Sequence, residues 1–153
     1  MDRLHPVPNW GGPDQDGMET RKRVRDFLAS EGGVVSAYLF GSVARGADHG
    51  ESDVDLGVLL RRSAFPSRLE RSQERVRLLA GLMAALGRNE VDLIVLNDVP
   101  PRFGREVIVR GERILCAEPE EDFRFRHRIQ LLAADLDVFM RRMEPLKLEA
   151  LRK

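Results

Sequence analysis

The sequence predicts a small α/β domain in which a sheet is covered by helices. Three observations point there. Short β-rich runs bounded by glycine or turn residues alternate with longer stretches of helical period. The chain has 153 residues, a length typical of one domain with a substantial core. Apolar residues make up 42%, which argues against a disordered chain, although the charged share is high at 33%.

Each element has its own signal. Residues 1–17 are rich in Pro, Gly and Asp and have no hydrophobic period, so they read as a flexible N-terminal tail ahead of a domain over 18–153. Met18 follows directly and offers an internal start. From there a helix carries Val24, Phe27 and Leu28 on one face and stops at Gly32-Gly33. Val34–Phe40 and Val54–Leu60 read as strands. Phe65-Pro66-Ser67 opens a long helix with Leu69, Val76, Leu79, Met83 and Leu86 at helical spacing, and Gly87 is its natural cap. Val91–Leu96 reads as a third strand. A short helix over 101–109 points Phe103 and Val107 inward, and Arg113–Cys116 is a short strand. The last helix runs from about Glu120 to Met143. Phe125, Ile129, Leu132, Leu136, Phe139 and Met143 step along it by four and three, and its acidic start suits the helix dipole. Sequence rules leave the strand order open.

Composition excludes several function classes. Lys+Arg and Asp+Glu are both 25, so the net charge is zero, and direct nucleic-acid binding, which draws on excess positive charge, is not expected. Cys116 is the only cysteine, so no intrachain disulfide or four-cysteine zinc site can form. The longest mostly apolar run, Leu78–Leu86, is far short of the ~20 residues that span a membrane. The N-terminus lacks a signal-peptide stretch, so the expected location is cytoplasmic. Of the 25 basic residues 22 are Arg, which reflects either genome composition or a preference for carboxylate and phosphate partners.

The chemistry concentrates between Gly41 and Val58. Gly41-Ser42 sits at a strand-to-helix turn, where glycine admits a ligand close to the backbone and exposed N–H groups with the Ser42 hydroxyl suit a phosphate. Asp53 and Asp55 are two apart on a strand, so they project together while Val54, Leu56, Val58 and Leu60 face the core. Two such carboxylates at ~4 Å repel by about 4 kcal/mol at an effective dielectric of ~20. A shared proton or a cation must offset that. Oxygen ligands in a partly open site suit Mg²⁺. Asp92 is an acid inside an otherwise apolar strand. If that strand lies beside the second, Asp92 joins the pair, and three acids can hold metal bridging a nucleoside triphosphate while one accepts a proton from an attacking hydroxyl.

These residues resemble a known family. Gly41-Ser42, ten intervening residues and Asp53-Val54-Asp55 resemble the signature of the polymerase β-like nucleotidyltransferase superfamily. The form Gly41-Ser42-Val43-Ala44-Arg45-Gly46 is similar to its minimal branch, the MNT-domain antitoxins. Asp92 matches the third family carboxylate, and Glu106-Val107, Gly111, Ile114-Leu115 and the last helix also look like that branch, so the resemblance covers roughly residues 20–143. It implies a small mixed sheet flanked by helices. By that resemblance Gly41 and Ser42 hold the triphosphate tail, Asp53 and Asp55 coordinate Mg²⁺, and Asp92 completes the site and acts as base. It further implies transfer of AMP from ATP to a tyrosine hydroxyl of a HEPN-domain ribonuclease toxin, in a homo- or hetero-oligomeric assembly. Two other readings keep the same residues: a non-catalytic antitoxin acting by stoichiometric binding, and a transferase acting on a small molecule such as an aminoglycoside. Only 57 residues follow Leu96, little material for a separate acceptor pocket, which favours a protein acceptor supplied in trans.

Other residues carry weaker signals. Arg45 belongs either on a phosphate or partner, or in a solvated loop or structural ion pair. His49, Glu51 and Ser52 read as loop residues, and Glu90 as a solvated strand end. His127 reads as part of a solvated helix face, and so do Arg61, Arg62, Arg68, Arg71, Arg75 and Arg77. Cys116 reads as a buried small hydrophobe. Trp10 has no evident packing partner.

Overall fold

The computed structural model describes residues 13–41 and 53–152. In chain order the elements are α1 (Pro13–Ala29), β1 (Val34–Phe40), β2 (Val54–Leu60), α2 (Arg68–Leu86), β3 (Val91–Val95), a 3₁₀ turn (Leu96–Asp98), α3 (Pro101–Arg110), β4 (Glu112–Cys116) and α4 (Pro119–Leu151). Helix α1 thus begins ahead of Met18, and Pro13, Asp14 and Asp16 are residue types favoured in a first helical turn. None of these helices is long and apolar enough to cross a membrane.

The four strands form one mixed sheet in the order β3-β2-β1-β4. β1 is antiparallel to both β2 and β4, and β2 is parallel to β3. A parallel neighbour requires a crossover, and α2 supplies it. Its start is a capping box: Glu70 N–H donates to Ser67 Oγ (3.1 Å) and Ser67 N–H donates to Glu70 Oε2 (3.0 Å). Its end is Gly87 at φ 65°, whose N–H donates to the Met83 carbonyl. Asn97 closes the far end of β2, accepting from Leu60 N–H and donating to the Leu60 carbonyl, both at 2.9 Å.

Each face of the sheet has its own core. Val54, Leu56, Val58 and Leu60 pack with Val24 and Leu28 of α1 and Leu78 and Leu82 of α2. On the other face Val35, Tyr38 and Leu59 pack with Val107 and Ile108 of α3 and Phe125 and Ile129 of α4. Burial on both faces is why β1 and β2 read as nearly continuous apolar runs.

Several expected packing roles change. Leu69 and Val76 are 67% and 59% exposed, whereas Leu78, Leu82 and Arg71 are buried. Arg71 grips Asp98 with Nε and Nη2, both at 2.9 Å, while Nη1 donates to the carbonyls of Phe65 (3.0 Å) and Pro66 (3.2 Å). Arg75 Nε donates to the Leu93 carbonyl at 2.6 Å, Arg61 pairs with Glu118, and Arg77 pairs with Glu31 and Glu74. Arg71 and Arg75 are therefore structural, satisfying carbonyls and a carboxylate where α2 meets the sheet, while Arg62, Arg68 and Arg77 lie exposed as the sequence suggests. Asp122, expected to complement a helix dipole, is fully buried. Its Oδ1 accepts from the Tyr38 hydroxyl (2.6 Å) and its Oδ2 from Arg113 Nη1 (2.8 Å), so it ties α4 to β1 and β4. Burial and the adjoining Asp122 carboxylate push the Tyr38 phenol far above its ordinary pKa. Cys116 is only half-buried, and exposed His127 stacks on Phe123.

Candidate active site

β1 ends at Phe40 and β2, antiparallel to it, begins at Val54, so Gly41 and Asp53 lie at the same end of the sheet. Phe40 lies opposite Asp55 in that pairing. β3 runs parallel to β2 in a register that sets Asp92 opposite Asp55 and Val91 opposite Val54. Two acids on separate strands are therefore lateral neighbours on one face, and Asp53 stands at the entrance to β2. Asp53 and Asp92 are exposed, while Asp55 is half-buried between fully buried Val54 and Leu56. The fold brings all three sequence-predicted acids to the same end of the sheet, and Asp92 points away from the interior.

Their charges act on one another. Burial raises the Asp55 carboxyl above the ordinary carboxylate range, and the neighbouring Asp92 and Asp53 charges raise it further. Asp55 thus resists ionisation unless a cation or donor offsets its neighbours. Gly41 sits directly against it. At φ +76° it occupies the left-handed region, and a Cβ there would lie 2.2 Å from Asp55 Oδ2. Glycine is required twice, by the backbone angle and by the close approach of the carboxylate.

Next to Gly41 opens a cleft of about 210 Å³ lined by Phe40, Gly41, Phe103, Glu106, Val107 and Arg110. Phe40 and Phe103 meet edge to face, with centroids 6.0 Å apart and planes at 88°. Phe103, expected to point inward, is 44% exposed and forms the rim instead, because the inward positions of α3 go to Gly104, Val107 and Ile108. Arg110 Nε lies 3.2 Å from Glu106 Oε2 at the mouth. Sequence reasoning missed Phe40, Phe103 and Arg110 as lining residues; the Glu106/Arg110 pair one helical turn apart was the available signal. Ser42 and Arg45 lie outside the described residues, as do His49, Glu51, Ser52 and Trp10. A larger open groove of about 800 Å³ runs between α1 and β4, at the opposite sheet edge from the acids.

Among the described residues no group of three His, Cys, Asp or Glu is already arranged as a metal cage. The donor set nonetheless fits Mg²⁺. It is all carboxylate, it is open to solvent, and Asp55 is held by burial and like charge in a state that a hard cation would relieve. Mg²⁺ is commonly held by one or two carboxylates with substrate phosphates completing its shell, so a full protein cage is not needed.

The family model described as "Polymerase beta, Nucleotidyltransferase" matches residues 22–120, an interval that contains Gly41, all three acids and Phe103. Among solved structures, a chain of a toxin–antitoxin crystallised with AMP-PNP superposes with a TM-score of 0.64 at 20% identity, covering 86% of this chain and 98% of its own. A chain of the toxin–antitoxin MntA-HepT gives 0.61 at 18%, covering 88% and 98%. A chain from the complex of tri-AMPylated Shewanella oneidensis HEPN toxin with MNT antitoxin gives 0.56 at 19%, covering 91% and 98%. At these identities the likeness is one of fold. No curated protein sequence matches the chain.

Proposed function

The chain belongs to the polymerase β nucleotidyltransferase family, and from that premise we propose that it is a cytoplasmic antitoxin that transfers AMP from ATP to a hydroxyl, most simply a tyrosine, of a HEPN-domain toxin. One observation carries the reading: Asp55 and Asp92 face each other across a parallel pair, with Asp53 at the strand entrance and Gly41 making room for the Asp55 carboxylate. A protein that only bound its partner would have no use for three mutually repelling acids at one sheet edge. The structural neighbours support the partner and nucleotide, since they include a HEPN toxin bearing AMP and a complex holding an ATP analogue.

Asp53 and Asp55 would hold Mg²⁺, with Asp92 beside them on the same face. When bound, Mg²⁺ neutralises the phosphate charge and helps pyrophosphate leave. Gly41 and Ser42 steer the triphosphate tail through backbone N–H groups and a hydroxyl. Asp92, exposed on the same face, accepts the proton of the acceptor hydroxyl as its oxygen bonds to the α-phosphorus and the bond to the β-phosphate oxygen breaks. Such reactions need little covalent participation from the protein, so positioning and charge dominate.

The test is label transfer from α-labelled ATP to the co-purified toxin, with γ-labelled ATP as the control that leaves no label. Asp92→Asn and Asp53→Asn are expected to abolish transfer while keeping the far-UV circular dichroism of the parent, since both side chains are exposed. Protection of cells by an Asp53→Asn protein that transfers nothing would show a stoichiometric binder instead.

A further inference from the structure

Helix α4 continues past the body of the domain. Its 33 residues span ~50 Å at ~1.5 Å per residue. The alternation by four and three that begins at Phe125 and Ile129 runs without interruption to Met143 and resumes at Leu146 beyond Pro145, which lies inside the helix; its 3.5-residue period marks a coiled-coil seam. Phe125 and Ile129 are buried in the second core, but beyond them the seam emerges: Leu132 is 45% exposed, Phe139 55% and Leu146 56%. Ala133, on one flank, is fully buried and marks the side turned toward the protein's own core. A partner would therefore meet the seam and its other flank.

That other flank carries Arg128, Asp135, Arg142 and Glu149, each seven residues from the next. All four are exposed and none forms an ion pair among the described residues. By contrast Asp137, off the seam, is held by Arg102 (3.1 Å) and Arg105 (2.7 Å) of α3. The unpaired charges distinguish among arrangements of two copies. In an antiparallel pair with its two-fold axis between Leu136 and Phe139, those two residues layer on each other's copies, as do Leu132 and Met143. Arg128 then faces Glu149 and Asp135 faces Arg142, so every contact on this flank is attractive, while on the opposite flank Met140 meets Ala133 and Lys147 meets Arg126. Sliding by one heptad in one direction sets Arg142 against Arg142 and Asp135 against Glu149. Sliding in the other sets Asp135 against Asp135 and Arg128 against Arg142. Beyond Ile129 a parallel pair brings Arg142 to Lys147 and gains no opposite-charge contact.

The geometry points to self-association: α4 pairs antiparallel with α4 of a second copy of this chain, in the register that joins Asp135 to Arg142. The apolar seam supplies the attraction, and the flank charges reject the alternative registers. Sedimentation equilibrium of the full chain at low ionic strength is expected to show a dimer. Asp135→Arg turns two symmetry-related attractions into repulsions and raises the dissociation constant ~10-fold or more. The double variant Asp135→Arg/Arg142→Asp exchanges the charges and restores the dimer. Far-UV circular dichroism should be unchanged in both, because neither residue has a partner within the described residues. A chain that stays monomeric at ~100 µM, a dimer indifferent to Asp135→Arg, or a double variant no better than the single would each overturn the pairing. So would occupation of the seam solely by a different helical protein.

Discussion

Replacing Gly41 by alanine separates backbone strain from damage to the site. At φ +76° an L-residue costs ~1–2 kcal/mol. The added Cβ would stand 2.2 Å from Asp55 Oδ2, against an ordinary contact of ~3.5–4 Å. Either Gly41 or the Asp55 carboxylate must then move by ~1 Å, and a displacement of that size costs ~100-fold in rate where alignment governs the reaction. Gly87 provides the control. It sits at φ +65°, and a Cβ added there would meet nothing within 4 Å, so Gly87→Ala carries the same backbone penalty without touching an acid. Both variants are expected to lower the melting temperature by about 2–8 °C, from ~2–4 °C per kcal/mol at this size. Gly41→Ala alone should lose transfer of labelled AMP by ~100-fold. Wild-type transfer by Gly41→Ala, or an equal loss in Gly87→Ala, would show that the approach of Gly41 to Asp55 does not govern the reaction.

Two further outcomes follow from buried charge. Asp55 has a raised carboxyl pKa in the folded protein, so its ionised form is disfavoured there and stability falls as pH rises through that folded value. Asp55→Asn copies the neutral form; thermal melts are expected to show it more stable than the parent at pH 7, with the gain vanishing toward pH 4 and Mg²⁺-dependent transfer lost. A variant less stable at pH 7 would contradict the repulsion among the three acids. Asp98→Ala strands the Arg71 guanidinium, whose side chain is only 7% exposed, and is expected to cost ~3 kcal/mol in urea unfolding; a loss below ~1 kcal/mol would mean that water replaces the carboxylate.

Much of the fold was legible because local rules acted alone. Gly33 and Gly41 bracket β1, and Ser67, Glu70 and Gly87 mark the ends of α2 through hydrogen bonds within one turn. The errors share a cause. Leu69 and Val76 have helical spacing, but the sheet lies under Leu78 and Leu82, and Arg71 takes a buried place because Asp98 comes back to meet it. Phe103 reads as core by type, yet it forms a rim because the inward positions of α3 go to Gly104, Val107 and Ile108. Helix α1 starts at Pro13, ahead of Met18, because a Pro- and Asp-rich stretch reads equally as loop or as a first helical turn.

By itself the chain determined which atoms are available: three carboxylates, a glycine before them, and a period of two that puts Asp53 and Asp55 on one side. Only the tertiary structure decided that β3 lies parallel beside β2 in the register that sets Asp92 opposite Asp55, because strand order and register arise from cores on both faces and from a crossover, not from any local propensity. The raised carboxyl of Asp55 belongs to that second level, since it arises first from burial in the folded sheet and then from the charge of Asp92, 37 residues away in the chain, held beside it, and of Asp53.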